Sequence, residues 1–150
     1  MSVYPDTSFF CAIYREQDNS HRADAWLAGF TGPLPVTSLL LLEFRQSIRF
    51  QMGLFSKDRH KGFPHAVGMA MLRGLHSDLA SGALRMVAPD WADVYRIAEE
   101  LGHKHTESGL HRLADILHVA TALHLGAEEF LTLDANQKRL AEAEGLRVPD

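Results

Sequence analysis

Residues 110–134 read L-H-R-L-A-D-I-L-H-V-A-T-A-L-H-L-G-A-E-E-F-L-T-L-D, and two structural elements are written in them. From Leu110 to Leu125 apolar residues cover most of a helical circumference, as expected of a helix enclosed between a sheet and its neighbours. Gly126 follows, where a left-handed residue most easily ends a helix. Glu129 to Leu131 then begins a short run of strand length, and Asp134 stands beyond its carboxyl end. The same unit recurs outward along the chain. Strand-length runs near Ser2 to Tyr4, Leu34 to Val36, Leu84 to Val87 and Leu146 to Val148 alternate with helical patterns. Those helices are expected over Thr7 to Gln17, Ser20 to Phe30, Ser38 to Met52, Pro64 to Ser81, Trp91 to Lys104 and Ala135 to Glu144. The alternation predicts an α/β fold of three layers, α/β/α, around a mostly parallel sheet of about five strands.

Composition bounds the partners. With 150 residues, 46% of them hydrophobic, one domain spanning 1–150 has enough core to bury roughly two thirds of its unfolded surface. The net charge of −4 and a pI near 6.1 exclude a polybasic nucleic-acid binder, so any RNA contact must come from local patches. Arg45, Arg49, Lys57, Arg59, Lys61 and Arg73 could supply one, or simply form a solvated face. The single cysteine, Cys11, lies among Phe9, Phe10, Ala12 and Ile13, which reads as a small buried side chain in a reducing compartment. Leu39 to Leu42 falls far short of the ~18 apolar residues of a membrane span. A soluble cytoplasmic protein is expected.

Four carboxylates stand in informative places. In V-Y-P-D-T-S-F-F, residues 3–10, Asp6 interrupts an apolar run where a strand passes into a helix. It reads either as a helix cap or as chemistry placed at the carboxyl end of a strand. Asp134 repeats that arrangement. In S-L-L-L-L-E-F-R-Q-S-I-R-F, residues 38–50, Glu43 shares its arc with Leu39, Leu40, Phe44 and Phe50 and points inward. An ionised carboxylate there requires a metal, a basic partner or a proton. Asp115 shares one side of its helix with His111, Arg112 and His118, a stripe that faces either a specific partner or solvent. If the strands of Asp6 and Asp134 are neighbours, right-handed crossovers bring all four acids toward one edge of the sheet. Clustered carboxylates without Cys ligands favour Mg²⁺ or Mn²⁺, ions that activate water for phosphodiester hydrolysis. Zinc has weaker support: H-K-H at His103 to His105 matches no zinc spacing and reads as an exposed turn between helices. His118, three residues after Asp115, is a minor candidate for a bond to a phosphate or a metal-bound water.

With D-T-S at the first strand end, an inward Glu43, R-x-x-D in the enclosed helix and T-L-D after a late strand, the sequence resembles the PIN-domain ribonucleases. More narrowly, it resembles the VapC toxins of type II toxin-antitoxin pairs. The segments R-L-A-D-I-L-H-V-A-T-A-L and F-L-T-L-D-A-N-Q-K-R-L-A-E-A-E-G-L carry the likeness most specifically. The resemblance implies a Mg²⁺- or Mn²⁺-dependent endoribonuclease, with Asp6, Glu43, Asp115 and Asp134 as metal-binding acids. It also implies a homodimer and a cognate antitoxin that covers the site. Thr132 matches a threonine expected to orient the last carboxylate, and Ser8 and Arg112 match positions that line the site. Two positions depart from the pattern: Pro5 replaces an apolar residue and removes a backbone donor, and Gln137 stands where an aromatic is frequent. The rival readings are a catalytically idle binding module, whose acids only cap helices, and a metal-dependent phosphatase. Against the phosphatase, D-T-S lacks a second aspartate two residues on.

Overall fold

Four helices of this chain begin on a side-chain oxygen placed just after a strand. Asp6 accepts from the Phe9 amide, Thr37 from that of Leu40, Asp90 from those of Ala92 and Asp93, and Asp134 from that of Gln137. Each oxygen satisfies a donor that the first helical turn leaves free. A computed structural model describes residues 2–150, and these form four strands and seven helices. In chain order they are β1 (Val3–Pro5), α1 (Thr7–Tyr14), α2 (Ser20–Gly29), β2 (Leu34–Val36), α3 (Ser38–Lys57), α4 (His65–Ser81), β3 (Leu84–Met86), α5 (Trp91–Gly109), α6 (Leu113–His124), β4 (Glu129–Leu131) and α7 (Ala135–Ala143).

All ladders are parallel, as the alternation predicts. β1 pairs with β4, Tyr4 opposite Phe130, and β2 pairs with β3, Pro35 opposite Arg85. The expected fifth strand, Leu146 to Val148, is reduced to one parallel bridge between Glu129 and Arg147. The strands therefore number fewer than expected, and they form two hydrogen-bonded pairs. β1 and β2 lie side by side without a ladder between them. The prolines account for this seam. Ser2 and Asp6 bond toward β4, so the intervening Pro5 turns its backbone edge to β2; Leu34 and Val36 bond toward β3, so Pro35 turns its edge to β1. Neither proline has an N–H to give, and the strands meet by packing.

Alternation along the strands separates two apolar layers. Val3 and Leu131 join Phe10, Val36, Leu40, Phe44, Ile48 and Leu75 on the side of α1 to α4. Tyr4 and Phe130 join Val94, Ile116, Val119 and Leu140 on the side of α5 to α7. No helix among the described residues is long and apolar enough to cross a membrane.

Four helix boundaries differ from expectation by three residues or more. α1 stops at Tyr14 rather than Gln17, since Arg15 turns to extended backbone. α3 runs through Gly53 to Lys57, because Leu54 and Phe55 extend its partly buried side beyond the glycine. α5 continues to Gly109, so His103 to His105 lie on a helix rather than in an exposed turn; His105 is partly buried against Glu144. Leu110, with a left-handed φ of 54°, ends α5, and α6 starts only at Leu113.

Candidate active site

The two strand-end acids are tied into one polar chain. Asp6 is 1% exposed; its Oδ1 accepts from the Phe9 amide at 3.0 Å and from the Ser8 hydroxyl at 2.7 Å. Ser8 Oγ in turn accepts from the Leu133 amide at 2.9 Å and lies 3.2 Å from Thr132 Oγ1. Ser8 and Thr132 both turn their hydroxyl protons to Asp6, so the 3.2 Å contact between them is a close approach of two oxygens already committed to that carboxylate. Thr132 Oγ1 also accepts from the Asp134 amide at 3.1 Å, and Asp134 Oδ1 caps α7 through the Gln137 amide at 2.9 Å. Thr132 thus acts on the backbone of Asp134, where the sequence pattern pointed to its carboxylate. Burial pushes the Asp6 carboxyl above its ordinary range, against the opposing pull of hydrogen bonds from Thr132, Phe9 and Ser8 and of the His118 charge.

Glu43 has a protein partner. Leu40 and Phe44 are buried beside it as expected, but Phe50 is 61% exposed, so Glu43 sits at the margin of the core with its side chain 32% exposed. Its Oε1 lies 3.3 Å from His118 Nε2, which is also 3.2 Å from Thr7 Oγ1, while His118 Nδ1 lies 2.8 Å from the Tyr4 hydroxyl. His118 is itself 1% exposed, enclosed by these groups rather than presented to a phosphate. Burial raises the Glu43 carboxyl, but hydrogen bonding and charge from His118, with help from Thr7 and Arg112, outweigh it and hold the group below its ordinary value.

The polar stripe of α6 divides. His118 points into the protein, while Arg112 is 81% exposed and reaches Asp115 only at 3.6 Å. Burial raises the Asp115 carboxyl; the Arg112 charge opposes this, and the charges of Asp134 and Glu43 add to it. His111 bonds Asn136 at 3.2 Å, and burial with the His105 charge lowers its pKa. Gln137 is buried, and its Oε1 has no hydrogen-bond partner, one turn into α7 from Asp134.

The charges of Glu43 and Asp134 therefore both act on Asp115, and Asp6 joins Asp134 through Ser8 and Thr132. Among the described residues, no three His, Cys, Asp or Glu side chains stand close enough together to hold a metal ion. The donor set still fits a hard divalent cation by its chemistry, being all carboxylate oxygen with the charges of Asp134 and Glu43 both acting on Asp115. Sequence reasoning missed Tyr4 and Thr7. The signal was present for Tyr4, since strand alternation turns it away from Val3 and toward α6.

The fold and these acids define an α/β domain of parallel strands with carboxylates at the strand ends. The chain belongs to the PIN domain family, whose model matches residues 3–143. Its fold is shared by VapC20 of Mycobacterium tuberculosis, a sarcin-ricin loop cleaving toxin, at 19% identity and a TM-score of 0.65, over 97% of each chain. VapBC2 of Rickettsia felis, solved on a promoter DNA fragment, is similar at 17% identity and a TM-score of 0.64, over 99% of this chain and 98% of that one. FitAcB of Neisseria gonorrhoeae follows at 16% and 0.62, over 99% and 96%. Comparison with curated proteins gives no match.

Proposed function

We propose that this single domain is a Mg²⁺- or Mn²⁺-dependent endoribonuclease, the toxin of a type II toxin-antitoxin pair. The observation that carries the reading is the PIN match across residues 3–143, with Asp6 and Asp134 joined through Ser8 and Thr132 at adjacent strand ends. Toxins and toxin-antitoxin complexes among structures of the same fold support it. Asp6, Glu43, Asp115 and Asp134 would hold the cation. When bound, a divalent ion supplies Lewis acidity to the attacking water and offsets phosphate charge. Ser8 and Thr132 hold Asp6 in place, and Arg112, exposed beside Asp115, is available to a substrate phosphate. An antitoxin segment with a basic side chain would block the acids, and the toxin would pair with a second copy.

The test is cleavage of a structured RNA by antitoxin-free protein with Mg²⁺ or Mn²⁺, stopped by EDTA and abolished in folded Asp115→Asn. Undiminished cleavage in EDTA, or products ending in 2′,3′-cyclic phosphate, contradicts the mechanism. A second reading, an idle binding module, draws on the structural use already found for each acid: two caps, a histidine pair and an arginine pair. It requires that wild type neither bind Mn²⁺ nor cut RNA.

A further inference from the structure

We infer that the exposed face of α3 leading away from Glu43 is a subsite for one unpaired base of the RNA, stacked on Phe50 with Gln46 at its edge. The inference rests on the proposal that RNA is cut at the four acids, and it concerns how that RNA is held. Leu39, Leu42, Glu43, Gln46, Ser47 and Phe50 line an open groove of about 590 Å³, so the groove begins at a candidate cation-holding acid. Leu42 and Phe50 are 64% and 61% exposed there. Glu43 and Phe50 stand about 10 Å apart along the helix axis, near enough for a phosphate at the acids and a neighbouring base of the same strand at the ring.

Two features favour a nucleic acid over a protein surface in this groove. The first is charge. α3 carries three cations, Arg45, Arg49 and Lys57, and Glu43 as its one acid, in a chain whose net charge is −4. Arg45 and Arg49, four residues apart, form the row beside Gln46 and Phe50, and Arg49 and Lys57 are exposed. A second copy docked by the same patch would set like cations on both sides of the contact. The second feature is Gly53, one turn beyond Phe50. Glycine within a helix is costly relative to alanine, yet a Cβ here would meet nothing within 4 Å, so packing does not require it. Helical side chains lean over the turn before them, so a side chain at 53 would cover the flank of Phe50, and the glycine leaves that flank clear. Single-stranded RNA is held in this manner, with phosphates on cations and bases on aromatic faces. The Gln46 amide presents a donor and an acceptor together to a base edge.

The experiment uses the full chain and a short single-stranded RNA carrying fluorescent 2-aminopurine at one position at a time, with every variant checked for folding by circular dichroism. In Ca²⁺, anisotropy reads binding and quenching of the 2-aminopurine reads stacking. One position should be quenched on binding to wild type. Phe50→Ala should abolish that quenching and weaken binding by about 10-fold, and Phe50→Trp should restore both. Gly53→Leu, which favours the helix, should do as Phe50→Ala does although the ring is intact. Gln46→Ala should keep the quenching and lose the preference among bases at that position. Arg49→Gln should reduce the dependence of log affinity on log salt by about 0.7, whereas Phe50→Ala leaves that slope unchanged. Wild-type quenching and affinity in folded Phe50→Ala and Gly53→Leu overturn the subsite. So does a wild-type dimer, seen by sedimentation, that Phe50→Ala dissociates, since the face then belongs to a second copy. The nuclease reading fails separately: RNA that stacks on Phe50 but stays intact in Mg²⁺ and Mn²⁺ sinks that reading and leaves the subsite standing. Failure of wild type to bind RNA overturns both.

Discussion

The two strand-end acids and the two helix-borne acids are held by different kinds of group. Asp6 and Asp134 each accept from a backbone amide, at 3.0 and 2.9 Å, and so double as the N-terminal caps of α1 and α7. Glu43 and Asp115 sit within helices and are held by side chains alone, His118 at 3.3 Å and Arg112 at 3.6 Å. The lesson is that a carboxylate at a strand end has two duties and one in a helix has one. Substitution should therefore damage the fold at the first pair and leave it largely intact at the second.

The comparison is tested hardest at Asp6. Asp6→Ala removes a cap and the acceptor of the Ser8 hydroxyl in a buried setting, and should cost about 2 kcal/mol in urea unfolding. Asp134→Ala removes the α7 cap where the side chain is less enclosed, and should cost about 1 kcal/mol. A loss at Asp134 exceeding that at Asp6 would break the ranking.

Smaller effects separate the helix pair by sign. The Asp115 carboxyl is raised in the fold, so the metal-free folded state binds more protons than the unfolded chain there. That stability is present below the unfolded pKa and is lost as pH rises through the folded one. Asp115→Asn should thus be as stable as wild type or more so at neutral pH without metal, by calorimetry in EDTA. Glu43 is lowered, so its contribution is present above the unfolded pKa and is lost as pH falls through the folded one. Glu43→Gln should be less stable than wild type at neutral pH, with the gap closing in acid. Smallest of all, Arg112→Gln breaks an exposed pair and should change stability by about 0.3 kcal/mol at most. A clear loss there would mean that Asp115 depends on Arg112 as a structural partner.

What the sequence could show was whatever one residue and its near neighbours determine. Asp6 and Asp134 were legible as caps and as strand-end acids, and the structure gives them the caps. The parallel alternation was legible because each apolar run is bounded by helix signals. The end of α3, expected at Met52 before Gly53, was misplaced, because a glycine ends a helix only where the apolar side also stops, and Leu54 and Phe55 carry it on. His118 was misplaced for a related reason. Helical spacing put it with Arg112 and Asp115, but which sector of α6 meets solvent depends on β1 and α3, elements distant in sequence.

The proline seam in the sheet has a consequence for biosynthesis. Leu34 pairs with Leu84, so the β2–β3 ladder is available once a little more than half the chain has left the ribosome. Val3 pairs with Glu129, and because Pro5 leaves β1 no ladder with β2, the first strand made must wait for nearly the last. A nascent chain stalled after α5 should therefore protect α3, α4 and β3 from protease while β1 remains open to cutting. Early protection of β1 would show that packing at the seam holds it without a ladder.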